Sequence, residues 1–175
     1  MKKSTAVYLR AIKEEDMLSI YKACQDVEIL YMTGTRNALT LDQITQRYQQ
    51  FREDPTRYDF AVCLSASTEI LGDLSILDID PLNKKAGFRI ALHNRTTLNN
   101  GYGTAATQLA LAFAFEELEL NRLELEVFSH NIRGLKAYEK AGFKKEGTLR
   151  QSLYLNHTYS DEILMGMLRN DYYRG

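Results

Sequence analysis

The sequence predicts a mixed α/β fold in which a sheet carries helices on its faces. Three strand-like runs between residues 58 and 92 are joined by short, turn-rich connections. Parallel neighbours need crossovers of about a dozen residues, so these runs are expected to form an antiparallel meander. Helical and strand patterns then alternate to the end of the chain. The 175 residues, 45% of them hydrophobic, predict a single domain, 1–175, with a core of its own.

The first third of the chain predicts a strand and two amphipathic helices. The strand covers residues 6–12. Apolar residues from 17 to 24 then recur at i, i+3, i+4 and i+7, the spacing of one helix face. Residues 40–43 match a capping box that opens a second helix, which runs to Phe51. The stretch between these helices, 28–39, is predicted to be an irregular loop of the kind that shapes a pocket.

The remainder of the chain predicts more strands and two further helices. The stretch 104–118 is apolar almost all round, which describes a helix buried on the sheet. Asn131 can cap another helix, which ends at Gly142. Gly147 is expected to mark a break or turn after a strand near Phe143. The remaining predicted strands, including the three of the meander, are 58–64, 70–79, 86–92, 122–128 and 161–168.

Composition excludes several classes of function. The net charge is −1, so no broad basic surface for nucleic acid or anionic lipid is expected. The longest apolar run has seven residues, 109–115, whereas a membrane span needs roughly 20. No apolar segment of a signal peptide follows residues 1–5. Two distant cysteines and three scattered histidines form no metal-ligand pattern, so we expect a reduced, cytoplasmic, metal-free protein.

A glycine-rich segment, residues 99–104 (Asn-Asn-Gly-Tyr-Gly-Thr), opens the buried helix. Glycines let a backbone approach a ligand closely, and the free N–H groups of a helix N-terminus bind anions. The alternative is that the two glycines only make a tight turn.

The same segment also satisfies the relaxed dinucleotide fingerprint GxGxxA, with Glu126 about 20 residues on. The context argues against a dinucleotide site. The stretch between Leu92 and Gly101 is too long for the short turn of that fold, and the preceding strands form a meander instead of parallel βα units.

Three segments in this order, the first a strand with the loop that follows it, resemble the GNAT superfamily of N-acetyltransferases over essentially the whole chain. Each is weak alone, and their order and spacing make the resemblance specific. The tail, 146–161, resembles the branch that acetylates ribosomal-protein N-termini, polyamines and some antibiotics. The segments are the strand 88–92, the loop 98–103 that matches Arg/Gln-x-x-Gly-x-Gly/Ala except at Leu98, the strand 123–127 with Asn131 beyond it, and 137–143, Ala-Tyr-Glu-Lys-Ala-Gly-Phe.

The resemblance implies a mostly antiparallel central sheet, with one splayed parallel strand pair and helices on both faces. It further implies that acetyl-CoA is the co-substrate. The diphosphate would bind the glycine loop, and the peptide-like pantetheine arm would pair with the free edge of the central strand. Because Leu98 replaces the basic or Gln residue of the family, binding would rely on backbone N–H groups and Asn99 or Asn100. The implied cofactor-binding residues are Ile90, Ala91, Leu92, Leu98, Asn99, Asn100, Gly101, Tyr102, Gly103, Thr104 and Asn131.

Two of the implied roles have structural alternatives. Asn131 could hold pantetheine, cap its helix, or do both. Tyr138 stands where the family places the general acid that protonates the departing thiolate, and a phenol with a pKa near ~10 carries a proton at neutral pH. It could instead be a core tyrosine, three residues after Leu135 on an amphipathic helix.

No single residue stands out as the general base for the attacking amine. A water chain could serve, and each acidic residue could equally belong to a solvated strand face. The histidines near the implied site could be incidental. The candidates are Asp78, Asp80, Glu124, Glu126, His93 and His130.

The implied reaction is direct transfer of an acetyl group from acetyl-CoA to a primary amine through a ternary complex. The acceptor would be a protein N-terminus, a polyamine or a small-molecule amine. Residues 31–37, 56–58 and 154–159 are expected to line its pocket. The alternative is an acyl-CoA-binding protein without turnover, which the substitution at Leu98 would allow. A homodimer through edge strands or the C-terminal hairpin is possible.

Overall fold

The computed structural model describes residues 6–67, 69–93 and 98–174, and in it seven strands form one sheet in the order β1-β2-β3-β4-β5-β7-β6. Every neighbouring pair is antiparallel except β4 and β5, which are parallel. This confirms the mixed, mostly antiparallel sheet. The strands are β1 Val7–Ala11, β2 Tyr58–Leu64, β3 Ile70–Asp80, β4 Lys85–Leu92, β5 Arg122–Phe128, β6 Lys144–Leu155 and β7 Thr158–Leu168.

Six α-helices accompany the sheet in the described ranges, on both of its faces. Helices α4 and α5 pack on one face, here called the α4 face, where Leu74, Phe88 and Leu125 belong to the main core. Helices α1 and α3 pack on the other, the α1 face, which buries Asp73 and Ser75. The helices are α1 Met17–Ala23, α2 Val27–Met32, α3 Leu41–Glu53, α4 Tyr102–Ala112, α5 Ile132–Ala141 and α6 Arg169–Arg174.

The parallel strands β4 and β5 pair only where they begin. Their register holds for three residue pairs, from Lys85 with Arg122 to Gly87 with Glu124. Both strands continue beyond that point, β4 to Leu92 and β5 to Phe128, without pairing with each other. The two strands therefore splay apart, as the resemblance implied, and each presents an edge to the gap.

An ion-pair network lies at the point where the strands part. The carboxylate of Glu124 accepts a hydrogen bond from Lys85 Nζ at 3.0 Å and another from Arg122 Nε at 2.7 Å. Arg122 also donates to Glu146 on β6 through both terminal nitrogens. These contacts tie β4, β5 and β6 together beside the gap.

Helix α2 was not expected, because residues 28–39 had been interpreted as an irregular loop. The Asp26 carboxylate caps the helix by accepting from the N–H groups of Glu28 and Ile29, at 2.9 and 3.1 Å. The helix has six residues and no buried side chain. A helix this short, with no fully buried side chain, carries no apolar periodicity that a sequence pattern could reveal.

The predicted break at Gly147 is wrong. Gly147 lies inside β6, where the pairing with β7 shifts register between Lys145 and Gly147. The glycine marks a β-bulge in a continuous strand. The strand placed near Phe143 begins one residue later, at Lys144, and runs to Leu155.

Residues 1–5, on which the expectation about a signal peptide depended, lie outside the described residues. Within the described ranges, no helix has the length and apolarity needed to cross a membrane.

Candidate active site

A cavity of about 640 Å³ lies beside the unpaired end of β4, between the N-termini of α4 and α5. Its volume is within the range of small-molecule and cofactor sites. The structure thus brings together predicted site residues that are up to 48 positions apart in sequence, from Ile90 to Tyr138. Asn100 is not among the lining residues. The predicted site residues that line the cavity are Ile90, Ala91, Leu92, Leu98, Asn99, Gly101, Tyr102, Gly103, Thr104, Asn131 and Tyr138.

The glycine loop places the N-terminus of α4 at the cavity, with backbone N–H groups that make no helical hydrogen bond. Gly101 is the N-cap of α4 at φ 78°, the left-handed region that favours glycine. The helical hydrogen bonds begin where Ala105 N–H donates to the Gly101 carbonyl at 2.9 Å. The N–H groups of Tyr102, Gly103 and Thr104 precede that bond, so the geometry of the helix directs them out of its N-terminus. This arrangement can bind a phosphate.

Asn131 is the N-cap of α5. Its Oδ1 accepts a hydrogen bond from Gly134 N–H at 2.9 Å. The capping role, one of the two alternatives, is therefore present. Because the cap uses only Oδ1, the Nδ2 amide remains a donor at the cavity wall. The two roles are compatible in one side chain.

Tyr138 packs its ring against the core and is one of the residues that line the cavity. The ring makes edge contacts with Phe88 and Phe143, with centroids 6.4 and 6.0 Å away. Within the part of the chain that the structure describes, no protein group hydrogen-bonds to the hydroxyl. Burial raises the pKa of Tyr138 to about 12, so the phenol is protonated at neutral pH. The residue has both the packing of a core tyrosine and a protonated hydroxyl that could serve as an acid.

Lining residues from two helices extend the predicted site. The first group, Ile29, Met32 and Thr33, comes from α2 and its C-cap. Met32 and Thr33 fall in the segment 31–37 that was expected to line the acceptor pocket, whereas Ile29 was not expected. The second group is cationic and comes from α5: Arg133, Lys136 and Lys140. Their i, i+3, i+7 spacing on a helix that had been predicted could have revealed this second group.

The acidic residues that are candidates for the general base differ in their hydrogen-bond and ion-pair partners. Asp80 accepts hydrogen bonds from Leu82, Asn83 and the Asn83 side chain, and so builds a turn. Glu124 is held by Lys85 and Arg122, and although burial raises its pKa, these two partners lower it overall. Neither carboxylate is available to the gap.

Glu126 is in a different position. It follows the last β4–β5 pair, and its neighbours Leu125 and Val127 belong to the core of the α4 face. Alternation along the strand therefore puts Glu126 on the α1 face beside the gap. Burial and a hydrogen bond with Glu162 on β7 raise its pKa above the ordinary value.

Asp78, the remaining acidic candidate, has φ 52° near the end of β3.

Both candidate histidines are engaged by protein groups. His93 contacts Asp73 Oδ1 at 2.7 Å through Nε2 and Ser19 Oγ at 3.3 Å through Nδ1. His130 contacts Ser160 Oγ and the Tyr31 carbonyl, each at 2.8 Å. These contacts give both rings a structural role.

Two of the three expected acceptor-pocket segments meet beside this site. Arg36 donates a hydrogen bond to the Tyr154 carbonyl at 2.8 Å, which joins the loop after α2 to the β6–β7 hairpin. The third segment, 56–58, lies elsewhere. Tyr58 lines a separate cavity of about 500 Å³ between α3 and β2. In the described ranges, no cluster of His, Cys, Asp or Glu could hold a metal ion.

Comparison with known proteins gives consistent results. The family model described as an acetyltransferase (GNAT) domain matches residues 6–144. The chain is 26% identical to "Probable N-acetyltransferase YjcK" of Bacillus subtilis, over 98% of each chain. It is 23% identical to spermidine N(1)-acetyltransferase of Escherichia coli K12, over 98% of this chain and 91% of that one.

Solved structures share the fold. The spermidine N-acetyltransferase of Vibrio cholerae, crystallised in complex with CoA and spermine, superposes with a TM-score of 0.90 at 22% identity. The match covers 97% of this chain and 99% of that one.

Proposed function

The chain belongs to the GNAT family of acetyltransferases, whose acyl donor is acetyl-CoA, and we propose that it transfers the acetyl group to a primary amine by direct attack within a ternary complex. The observation that carries the proposal is the cavity beside the splayed strands. It joins an open helix N-terminus, an unpaired strand edge and the unpartnered Tyr138 hydroxyl in one space.

The donor would lie along β4. Residues Ile90–Leu92 line the cavity beyond the last pair with β5, so their backbone can bond the pantetheine amides as a further strand would. The diphosphate would bind the N–H groups at the start of α4. Asn131 Nδ2 would donate to a pantetheine carbonyl while Oδ1 keeps the helix cap.

Tyr138 would act as the general acid. The amine nitrogen attacks the thioester carbonyl, the C–S bond of the tetrahedral intermediate breaks, and the departing thiolate takes the phenolic proton. A pKa of about 12 keeps that proton on the phenol at neutral pH, and the hydroxyl would donate it to the sulfur as the C–S bond breaks. The proton that the amine loses restores the phenol through solvent.

Glu126 would accept the proton of the incoming amine. Glu124 and Asp80 are occupied by their partners, and both histidines are hydrogen-bonded on each ring nitrogen. Glu126 stands at the gap on the α1 face, opposite to the face that holds α5. An amine entering from the α1 face would meet this carboxylate before it reached the thioester.

The acceptor is proposed to be a polyamine-like cation. Two facing carboxyl groups, Glu126 and Glu162, repel each other unless a proton or a cation lies between them. An alkylammonium ion supplies that cation. The spermidine acetyltransferases among the similar proteins support the same class of acceptor.

The test is thiol release from acetyl-CoA with a panel of spermidine, spermine, a peptide with a free N-terminus and an aminoglycoside. We expect the polyamines to give the highest kcat/KM. Release with none of these amines, although CoA binds, would instead indicate an acyl-CoA-binding protein without turnover. Thermal stabilisation by CoA and not by NAD separates both from a dinucleotide-binding protein, since a ligand at 100 times its Kd adds about 2.7 kcal/mol.

A further inference from the structure

The charged residues that line the main cavity all have the same sign and come from one helix. They are Arg133, Lys136 and Lys140 of α5, and no carboxylate of the described residues lines the cavity with them. Their spacing of i, i+3 and i+7 places them on one face of the helix. The cavity wall formed by α5 is therefore a row of cations.

The three cations differ in their partners. Arg133 is paired with Glu28 of α2, with Nη1 3.3 Å from Oε1. Within the described ranges, Lys136 and Lys140 have no ion pair and no hydrogen bond from their ammonium groups, and both side chains are exposed. Two lysines in a cavity wall without a counter-charge leave room for an anionic ligand.

The glycine loop does not supply the cations that the donor needs. Leu98 stands where the family pattern has a basic residue or Gln, and the N-cap of α4 is a glycine without a side-chain hydrogen bond. Backbone N–H groups can hold the diphosphate there. The 3′-phosphate of CoA is a separate monoester that carries close to two charges, and it needs donors of its own.

We propose that Lys136 and Lys140 bind the 3′-phosphate of acetyl-CoA and so select it over donors that lack this group. The inference rests on acetyl-CoA being the donor of the proposed reaction. It assigns the diphosphate to the backbone of α4 and the 3′-phosphate to the side chains of α5. The absence of a cation at Leu98 is thereby compensated from a different helix.

The experiment compares the binding of CoA and of dephospho-CoA, which lacks only the 3′-phosphate, by titration calorimetry. A charge-assisted hydrogen bond corresponds to about 10- to 100-fold in affinity. We expect the unmodified protein to bind CoA tighter by about that factor. The double variant Lys136→Ala/Lys140→Ala should lose most of this preference by weakening CoA binding alone, with dephospho-CoA affinity unchanged.

Controls separate charge from packing. Lys136→Gln/Lys140→Gln keeps part of the methylene stems and a polar end without the charge, and should behave as the alanine pair does. Lys145→Ala removes an exposed lysine of β6 that does not line the cavity and should change neither affinity. Melting temperatures establish that each variant is folded.

Two results would overturn the assignment: equal affinity of the unmodified protein for the two ligands, or equal weakening of both ligands in the lysine variants. Failure of the unmodified protein to bind either ligand would instead refute the proposed function. The two failures are therefore distinguishable.

Discussion

Among single residues, Tyr138 makes the most direct prediction. Tyr138→Phe keeps the ring against Phe88 and Phe143, so the melting temperature should change little. In the proposed mechanism, the variant lacks the proton that Tyr138 would donate to the thiolate. General acid catalysis is typically worth about 10²–10⁴-fold, and kcat should fall by that factor while CoA affinity is kept. Steady-state thiol release and calorimetry on one preparation measure both quantities.

A core role for Tyr138 predicts the reverse, namely a lower melting temperature with near-normal turnover. A folded variant within threefold of the original kcat, with chemistry shown to limit the rate, would exclude the acid role. Because burial raises the pKa to about 12, the loss of activity from ionisation of this phenol belongs at the extreme of the alkaline range.

The pair of Glu126 and Glu162 makes a prediction about pH. A base must be deprotonated, and burial and the neighbouring Glu162 raise the Glu126 pKa, so they shift the acidic limb of kcat/KM to higher pH. Glu162→Gln removes the repelling charge and should move that limb to lower pH. Glu126→Gln should lower kcat/KM on the plateau, because it removes the base.

The pH profiles of the two variants are measured with the acceptor saturating and then with it limiting. If Glu162→Gln leaves the limb in place, the carboxyl pair does not control the ionisation that limits the rate. If Glu126→Gln keeps full activity, a water chain serves as the base.

At the scale of elements, the proposed diphosphate site at the N-terminus of α4 can be tested by adding a side chain beside its free N–H groups. A Cβ on Gly103 would stand 3.6 Å from Leu92 Cδ1, an ordinary van der Waals distance, so substitution there does not strain the protein itself. The branched methyls of Gly103→Val would occupy the space that the diphosphate needs. CoA affinity should fall by at least about tenfold, corresponding to about 1.4 kcal/mol, with the melting temperature preserved.

Gly103→Ala adds a smaller side chain. Its affinity for CoA should lie between that of the original protein and that of Gly103→Val. If a folded Gly103→Val protein binds CoA with unchanged affinity in calorimetry, the diphosphate does not bind at this loop.

Elements were predictable where one local signal fixed them. The capping box of α3 and the Asn131 cap of α5 both occur as predicted. Helix α2 has a local cap in Asp26 but no buried apolar face, and its further contacts are with the distant residues Arg133 and His130, which no local pattern reveals. The bulge at Gly147 depends on how β6 pairs with β7, and a glycine alone does not distinguish a bulge from a turn.

The candidate site divides in the same way. The glycine loop and the Asn131 cap follow from local sequence patterns, Tyr138 follows from the family resemblance, and the cavity contains all three. The pairing of Glu126 with Glu162 depends on the register of β5 against β7, which joins residues 36 positions apart. No local pattern contains that information.

At the scale of the whole molecule, the buried carboxylate of Asp73 should govern stability in acid. Burial raises its pKa, but the hydrogen bond with His93 and the charge of Arg89 outweigh burial and lower the pKa to about 2. A carboxylate with a lowered pKa stabilises the folded state fully above its ordinary pKa of 3.8. This stabilisation is lost as the pH falls from about 4 to 2.

Asp73→Asn breaks the contacts with Arg89 and His93 and should lower the free energy of unfolding at pH 7 by about 3 kcal/mol. It should also flatten the dependence of stability on pH between about 4 and 2. Urea unfolding over this range measures both effects. An unaltered acid slope in the variant would assign acid denaturation to other carboxylates.

The short register of β4 with β5 divides the sheet into two wings, β1–β4 and β5–β7–β6, joined by three residue pairs. Without the donor, the main-chain amides of Ile90 and Leu92, which alternate with the β3-facing amide of Ala91, should exchange with solvent far faster than those of β3, since no strand covers that edge. A bound pantetheine arm would hydrogen-bond to β4 in the gap between the two wings. The cofactor would then take the place of a strand in the sheet. Deuterium exchange at that edge should therefore slow on CoA binding, and the two wings should unfold as one cooperative unit only while the donor is bound.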